Sequence, residues 1–328
     1  MARAHSAALA CAAVAAALLL GGCRSAGGGR TPASSATPHV LSATDDLGKT
    51  VALARPARRI VSLSPAATET LFAIGVGDKL VGVTEFCDYP PQAKAIEKVG
   101  GYLDPSVEKV AAAAPDLIVA QRGTSSEVLA ALEEIGAPLF VLDPKTYDDV
   151  VAGIERLAVL TAAPLAGRVV REMRRVAAEV AARLRKAKPK SRPLVLLGDP
   201  HLADEAGLWL PGGDTLHHDL IVRAGGRNIA GDVSGGWQAL SLEVVLQRAP
   251  EVIVATRRAD EDAEDKRREV LRALRAAPGW AGTPAVREGR VYVIEENVLL
   301  RPGPRLAEAL WALARFFHPK LFPEEAAP

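Results

Sequence analysis

Between Pro164 and Ala187 apolar residues recur at Leu165, Val169, Met173, Val176, Val180 and Leu184, three or four apart, which is the spacing of one helical face. Arg168, Arg171, Arg174, Arg175, Arg183 and Arg185 occupy the other faces. Pro164 suits a first helical position, where a missing N–H costs nothing, and after Gly167 no Gly or Pro breaks the run before Pro189. The pattern predicts one helix over residues 164–188, roughly 35 Å long at about 1.5 Å per residue, enough to span a small domain.

Two similar patterns flank it. Ser106–Ala120 and Ser241–Ala255 share eight of fifteen aligned residues. Each reads as a Ser cap, a helix of about two turns, a Pro stop and a short Leu/Ile/Val strand. The repetition predicts two lobes of the same build, residues 39–163 and 189–328, held by the long helix. A stiff connector implies a cleft whose walls move little.

The remaining elements alternate between strand and helix. Residues 45–53 read as a hairpin turning at Leu47-Gly48; 59–64 and 80–84 as strands around a helix opened by Pro65 and closed at Gly75-Val76-Gly77; 139–142 and 194–197 as strands. Residues 295–305 read as a loop feeding a final helix, with Leu306, Leu310, Leu313 and Phe317 as its inner stripe and Trp311 at its edge. The expected class is α/β: two similar lobes with parallel sheets, joined by one backbone helix, and a ligand cleft between the lobes.

Composition changes this picture little: 49% of the 328 residues are hydrophobic and 24% charged, as in a chain with a sizeable core. Residues 1–22 read as a targeting segment, Arg3 followed by the apolar run Ala7–Leu20, too short to span a membrane comfortably. The run ends in Leu20-Gly21-Gly22-Cys23, which resembles the lipobox of bacterial lipoproteins, so Cys23 is expected to carry a lipid and become the N-terminus. Residues 23–38, rich in Gly, Ser, Thr, Ala and Pro, follow as a flexible tether. Removing Arg3 with the segment leaves 39 basic and 39 acidic residues, a balance that gives no support for nucleic-acid binding. Cys87 is then the one cysteine of the folded part, so no internal disulfide or cysteine metal site is expected.

Catalytic signatures are missing: there is no Gly-x-Ser-x-Gly elbow, phosphate-binding Gly-x-x-x-x-Gly-Lys-Ser/Thr loop, His-Glu-x-x-His or Cys-x-x-Cys. No nucleophile and base can be paired, so a binding function is expected rather than an enzyme. His217-His218-Asp219 could tempt a metal reading, but neighbouring helical residues point about 100° apart, and a solvated helix face is expected. Glu108 and Glu243 stand two residues after the Ser caps of the repeated helices. A helix N-terminus alone favours an acid there. Equivalent places in two lobes would further set two carboxylates on one surface about a pseudo-twofold axis, as docking onto a symmetric partner requires. Aromatics make up only 4% of the chain, yet Phe86, Tyr102, Trp209 and Trp237 fall in what read as loops after strands or before helices, where ligands of α/β sheets bind.

Several segments carry a resemblance: Arg59–Glu69, Cys87–Ala93, Val99–Glu108, Ala114–Val119 and Arg301–Arg305 are similar to those of ABC-importer binding proteins built on a helical backbone, most of all the branch that carries vitamin B12 (cobalamin). The likeness covers about residues 59–317. It implies that Glu108 and Glu243 meet arginines on the two subunits of an ABC permease. It also implies that Pro65, Ala66, Phe86, Tyr102 and Trp237, with the segment from Asn297 to Arg301, contact the ligand. Gln121 stands where that branch has an aromatic and Asn297 where it has an acid, and the second lobe lacks that branch's cysteines. Cobalamin or a related corrinoid is the expected ligand, with haem or a ferric siderophore as the alternative. No cofactor beyond the transported ligand is expected.

Overall fold

The computed structural model describes residues 40–187, 192–200 and 207–323. The expected signal segment, Cys23, the tether and Pro189 lie outside these residues.

Lobe 1 opens with an antiparallel hairpin, β1 (Leu41–Thr44) and β2 (Thr50–Leu53), paired Thr44 to Thr50. The Asp45 carboxylate accepts from the turn's Leu47 and Lys49 N–H groups and ties it to the sheet through Val141 N. Then follow β3 (Ile60–Ser62), α1 (Pro65–Ala73), β4 (Leu80–Val83), α2 (Val107–Ala112), β5 (Leu117–Gln121), α3 (Ser126–Glu133), β6 (Leu139–Leu142) and α4 (Tyr147–Thr161). The long helix α5 is Ala166–Ala187. Lobe 2 contains β7 (Leu194–Leu197), β8 (Leu208–Pro211), α6 (Leu216–Arg223), β9 (Arg227–Asn228), β10 (Trp237–Leu240), α7 (Leu242–Arg248) and β11 (Val252–Arg257). It ends with α8 (Ala263–Ala276), α9 (Pro284–Arg287), β12 (Val291–Glu295), α10 (Glu296–Leu300) and α11 (Leu306–Phe317).

Each lobe holds one four-stranded parallel sheet, ordered β4-β3-β5-β6 in lobe 1 and β9-β7-β11-β12 in lobe 2. Numbered by chain order within the lobe, both sheets run second, first, third, fourth. The repeated units are α2 with β5 and α7 with β11, and their side chains face alike. Leu117 and Val119, like Val252 and Val254, enter one core shared by both lobes, while Ile118 and Ala120, like Ile253 and Ala255, enter the outer core of their own lobe. Period-two alternation of apolar residues on both faces is what a sheet covered by helices on both sides demands. In both copies the acid after the Pro clamps the neighbouring strand: Asp116 accepts from Arg58 and Arg59 N–H, and Glu251 from Leu194 N–H.

Helix α5 lies in the shared core and packs on α4, α6 and α11. Its helical residues start two later than expected. Pro164 sits in the preceding turn, and Leu165 donates its N–H to Ile74 O and packs beside Gly75. This docking turns Leu165 outward, 44% exposed, so the buried stripe is Ala166, Val170, Met173, Val176 and Val180, with Val169 and Leu184 partly buried beside it. Buried Tyr147 of α4 fastens the helix by donating its hydroxyl to Met173 O at 2.9 Å. Trp311 is also not at an edge: it is 4% exposed, because Arg183 of α5 covers its ring and Phe322 meets it edge-on at 5.3 Å. Residues 295–305 are not all loop, since one turn of helix, α10, forms there.

Candidate functional site

Parallel strands bring all their carboxyl ends to one edge of a sheet, and the loops leaving that edge converge. In lobe 1, β3 delivers Ser64, β5 Gln121 and β6 Asp143; in lobe 2, β7 delivers Asp199, β11 Thr256 and β12 the helix ending at Leu300. Three adjoining cavities lie along these ends. One of about 540 Å³ is lined by Pro65, Ala66, Phe86, Tyr102 and Arg301; one of about 280 Å³ by Trp209, Trp237, Asp199 and Thr256; one of about 620 Å³ by Arg122, Asp143, Lys145, Asp214 and Trp237. Leu300 borders all three, and Gln121 joins the first to the third. They form a single cleft between the lobes.

Its lobe 1 wall is rigidly supported. Ser64 caps α1 by accepting from Ala67 N–H while its hydroxyl donates to Gln121 Oε1 at 2.8 Å, which fixes both Pro65-Ala66 and the Gln121 side chain. Cys87 is a free, buried thiol within 3.1 Å of Thr68 and Thr84 hydroxyls; it anchors the loop that leaves its neighbour Phe86 60% exposed. Tyr102 donates its hydroxyl to Arg122 O at 3.0 Å. Gly123 permits this: it holds a φ of 126°, and a Cβ there would come 2.7 Å from the Tyr102 oxygen. Burial, with the Asp143 charge adding to it, pushes the Tyr102 phenol above its ordinary value.

In lobe 2, Trp209 and Trp237 are not on loops. They belong to a two-stranded antiparallel ribbon, β8 with β10, in which Trp237 pairs Pro211 and Trp209 pairs Ala239. Residues two apart share a face, so both indoles stand on the same side of the ribbon. The expected solvated face at His217-His218-Asp219 is also corrected. His217 is 8% exposed and packs edge-on to Trp237 at 5.1 Å, its Nε2 without a hydrogen-bond partner among the described residues, and burial lowers it to about 4, which keeps it neutral. Asp219 caps α4 through Tyr147 N and pairs with Arg223. Among the described residues no group of three or more His, Cys, Asp or Glu could hold a metal ion.

Arg301 lines the cleft with its guanidinium donating to Asp88 Oδ1 at 2.8 Å, a pair that crosses from lobe 2 to lobe 1. Four residues on, Arg305 makes a two-pronged bond to Glu69 of α1 at 2.9 and 2.7 Å and lies 4.0 Å from the Tyr89 ring centre. Asn297, half-buried on α10, lies outside the lining of the three cavities. Leu300, within the expected segment Asn297 to Arg301, does line them; Leu103, Asp143, Lys145, Asp199 and Asp214 also line them and were missed from sequence. Asp143 and Asp199 follow strand ends, a positional signal that could have found them.

Glu108 and Glu243 occupy the first turns of α2 and α7, exposed, with Ser106 and Ser241 capping the helices through Lys109 and Val244 N–H. Each helix begins next to a cleft-lining aromatic, Tyr102 or Trp237. Neither carboxylate has an ion-pair partner among the described residues.

Residues 60–298 match a known family, described as periplasmic binding protein. The chain belongs to the periplasmic binding protein family. A substrate-binding lipoprotein of an ABC transporter from Bacillus subtilis, YvrC, itself uncharacterized, is 30% identical over 94% of this chain and 96% of its own. The vitamin B12-binding protein of Yersinia pestis is 34% identical over 62% of this chain and 71% of its own. Among solved structures, the heme-binding protein RhuT of Roseiflexus (TM-score 0.67, 29% identity, 81% of this chain and 99% of that one) and the vitamin B12-binding protein BtuF of Vibrio cholerae (TM-score 0.67, 28% identity, 80% and 97%) share the two-lobed fold. This periplasmic binding protein is thus a substrate-binding component of an ABC transporter.

Proposed function

We propose that this binding protein captures cobalamin or a related corrinoid in the cleft and delivers it to an ABC permease, anchored to a membrane through Cys23. The supporting observation is where the exposed apolar side chains gather. Phe86, Leu103, Trp209 and Leu300 are each 41–62% exposed, and all four border the same cleft. Apolar side chains left in water so close together mark a surface awaiting a partner, and rings set along adjoining cavities suit a broad, flat guest. Relatives that bind vitamin B12 agree with this reading. Haem has support from RhuT, but a haem carrier would need an iron ligand such as Tyr102 or a His in the cleft, and the Nε2 of His217 is shut away from solvent. The phenol of Tyr102 is committed to a backbone carbonyl and held above its ordinary value, which opposes a phenolate–iron bond.

Absorption spectra of the purified protein after exposure to cyanocobalamin, haemin or a ferric siderophore, followed by desalting, test the ligand. Retention of the corrinoid is expected; retention of haemin alone overturns the assignment. For delivery, Glu108→Ala with Glu243→Ala should leave corrinoid affinity unchanged while weakening uptake by cells. Loss of binding in that double variant would count against a surface role.

A further inference from the structure

The cleft of this protein is rich in charge yet offers no free cation among the described residues. Its lining has three cations, Arg122, Lys145 and Arg301, against four carboxylates, Asp104, Asp143, Asp199 and Asp214. Every one of the cations is already paired: Arg301 with Asp88 at 2.8 Å, Arg122 with Asp143 at 2.8 Å, and Lys145 with the other Asp143 oxygen at 2.9 Å. His217, the histidine in the lining, is held neutral. Asp143 is thus the counter-ion of both cations in the large polar cavity. It is well placed for that. It follows directly on β6, its backbone N–H is fixed by Asp46 at 2.7 Å, and its side chain is only 14% exposed, whereas Arg122 and Lys145 are 65% and 54% exposed. Across the cavity Asp214 accepts from Gly235 and Gly236 N–H, which hold its carboxyl below its ordinary value and keep it charged.

We infer that Asp143 sets the charge specificity of the cleft, so that the polar arms it accepts are uncharged amides rather than carboxylates. This rests on the cleft being the ligand site, as proposed above. An amide arm has both a donor and an acceptor, and the polar cavity presents both: carboxylate oxygens at Asp143 and Asp214, and N–H donors at Arg122 and Lys145. A carboxylate arm has acceptors alone. To reach Arg122 or Lys145 it must approach Asp143, a like charge in a partly dry site, and like-charge contacts at interfaces are strongly selected against. Corrinoids carry acetamide and propionamide arms, and haem carries two propionates, so the same residue would separate the two ligand classes.

The test compares ratios of affinity for matched ligands, which a purely structural defect would not change. One pair is cyanocobalamin and its monocarboxylate, in which a single propionamide is hydrolysed; the other is haemin dimethyl ester and haemin. Wild type should prefer the neutral-armed member of whichever pair it retains by about tenfold or more, the scale of one charge-assisted hydrogen bond. Asp143→Asn keeps the shape of the side chain, removes the charge and frees both cations, so the preference should vanish or reverse. Adding Arg122→Gln and Lys145→Gln to Asp143→Asn should then remove any gain in carboxylate binding. Equal binding of both corrinoids by wild type, or an unchanged ratio in Asp143→Asn, overturns the role of Asp143 and leaves the corrinoid reading standing. Retention of the haem pair alone, with the ester preferred, overturns the corrinoid reading and upholds the role of Asp143. Retention of neither macrocycle overturns both.

Discussion

The two lobes share a sheet order, a repeated helix–strand unit and a carboxylate clamp at Asp116 or Glu251, yet they line the cleft by different means. Lobe 1 presents Phe86 and Tyr102 from loops braced by Cys87 and Gly123; lobe 2 inserts a ribbon, β8 with β10, whose tryptophans stand on one face. The duplicated part builds the frame and the two exposed glutamates, and the part that differs lines the cleft. A frame can be repeated because packing asks the same of each half. A cleft wall need not be, because its side chains are not fixed by packing.

The comparison would break first at the joint. If the lobes were independent halves, Arg305 would matter to neither; instead its guanidinium, 12% exposed, is bonded to Glu69, 3% exposed, in the other lobe. Removing one partner of a buried pair leaves an uncompensated charge, so Arg305→Ala is expected to cost about 3–5 kcal/mol in urea denaturation. Arg301→Ala, whose partner Asp88 is 49% exposed, should cost less than about 1 kcal/mol. Equal losses in the two variants would show that the joint lies elsewhere.

Acid should separate the lobes next. The three histidines among the described residues, His217, His218 and His318, all belong to lobe 2. His217 falls from an ordinary 6.5 to about 4 through burial, so the unfolded chain takes up a proton that the native state refuses. Stability from this group is complete above about pH 6.5 and is lost as pH falls from there toward 4, at about 1.4 kcal/mol per pH unit and about 3 kcal/mol in all. Denaturation of wild type and His217→Leu at several pH values should show a difference confined to that window. Parallel profiles would mean that His217 is charged in the folded protein.

At the cleft itself the two walls should count alike. Phe86→Ala and Trp209→Ala each remove an exposed ring, 60% and 53%, that packs against little else, so each is expected to weaken corrinoid binding about 10- to 100-fold with unfolding midpoints unchanged. Trp237→Ala should also lower stability, because Trp237 is half-buried against His217. Titration calorimetry measures the first effect and denaturation the second. A loss confined to one wall would mean that the guest rests on a single lobe.

How much of this was legible in the sequence follows the same division. The repeated units, the strands at 139–142 and 194–197 and the helix of α5 came from periodicity and caps, because a frame is made of local pattern. The ribbon was not legible. Leu208–Pro211 and Trp237–Leu240 are four residues each and 25 residues apart, and pair only because lobe 2 holds them together. The burial of Trp311 and His217 escaped for a related reason: a stripe predicts one covered face, whereas α11 is covered by α5 and by Phe322, and α6 by α4 and the ribbon. The cleft aromatics were found by their rarity, but the counter-ion Asp143 was not, since its role depends on two cations that approach it only in space.

The smallest effect tests whether the frame is duplicated down to the backbone. Ala114 and Ala249, equivalent residues of the repeat, both adopt a left-handed conformation, with φ of 45° and 49°. There a Cβ crowds the following carbonyl, at about 1–2 kcal/mol for an L-residue. Each precedes a proline that cannot continue the helix, so the chain must turn out at that point, and glycine would make the turn without the crowding. Glycine also loses more freedom on folding, by about 0.5–1 kcal/mol, which offsets part of the gain. Ala114→Gly and Ala249→Gly should therefore each stabilise the protein by up to about 1 kcal/mol, equally and additively, because the sites lie in separate lobes with no shared neighbours. A gain at one and a loss at the other in thermal unfolding would show that the two turns, alike in φ, are held by different forces.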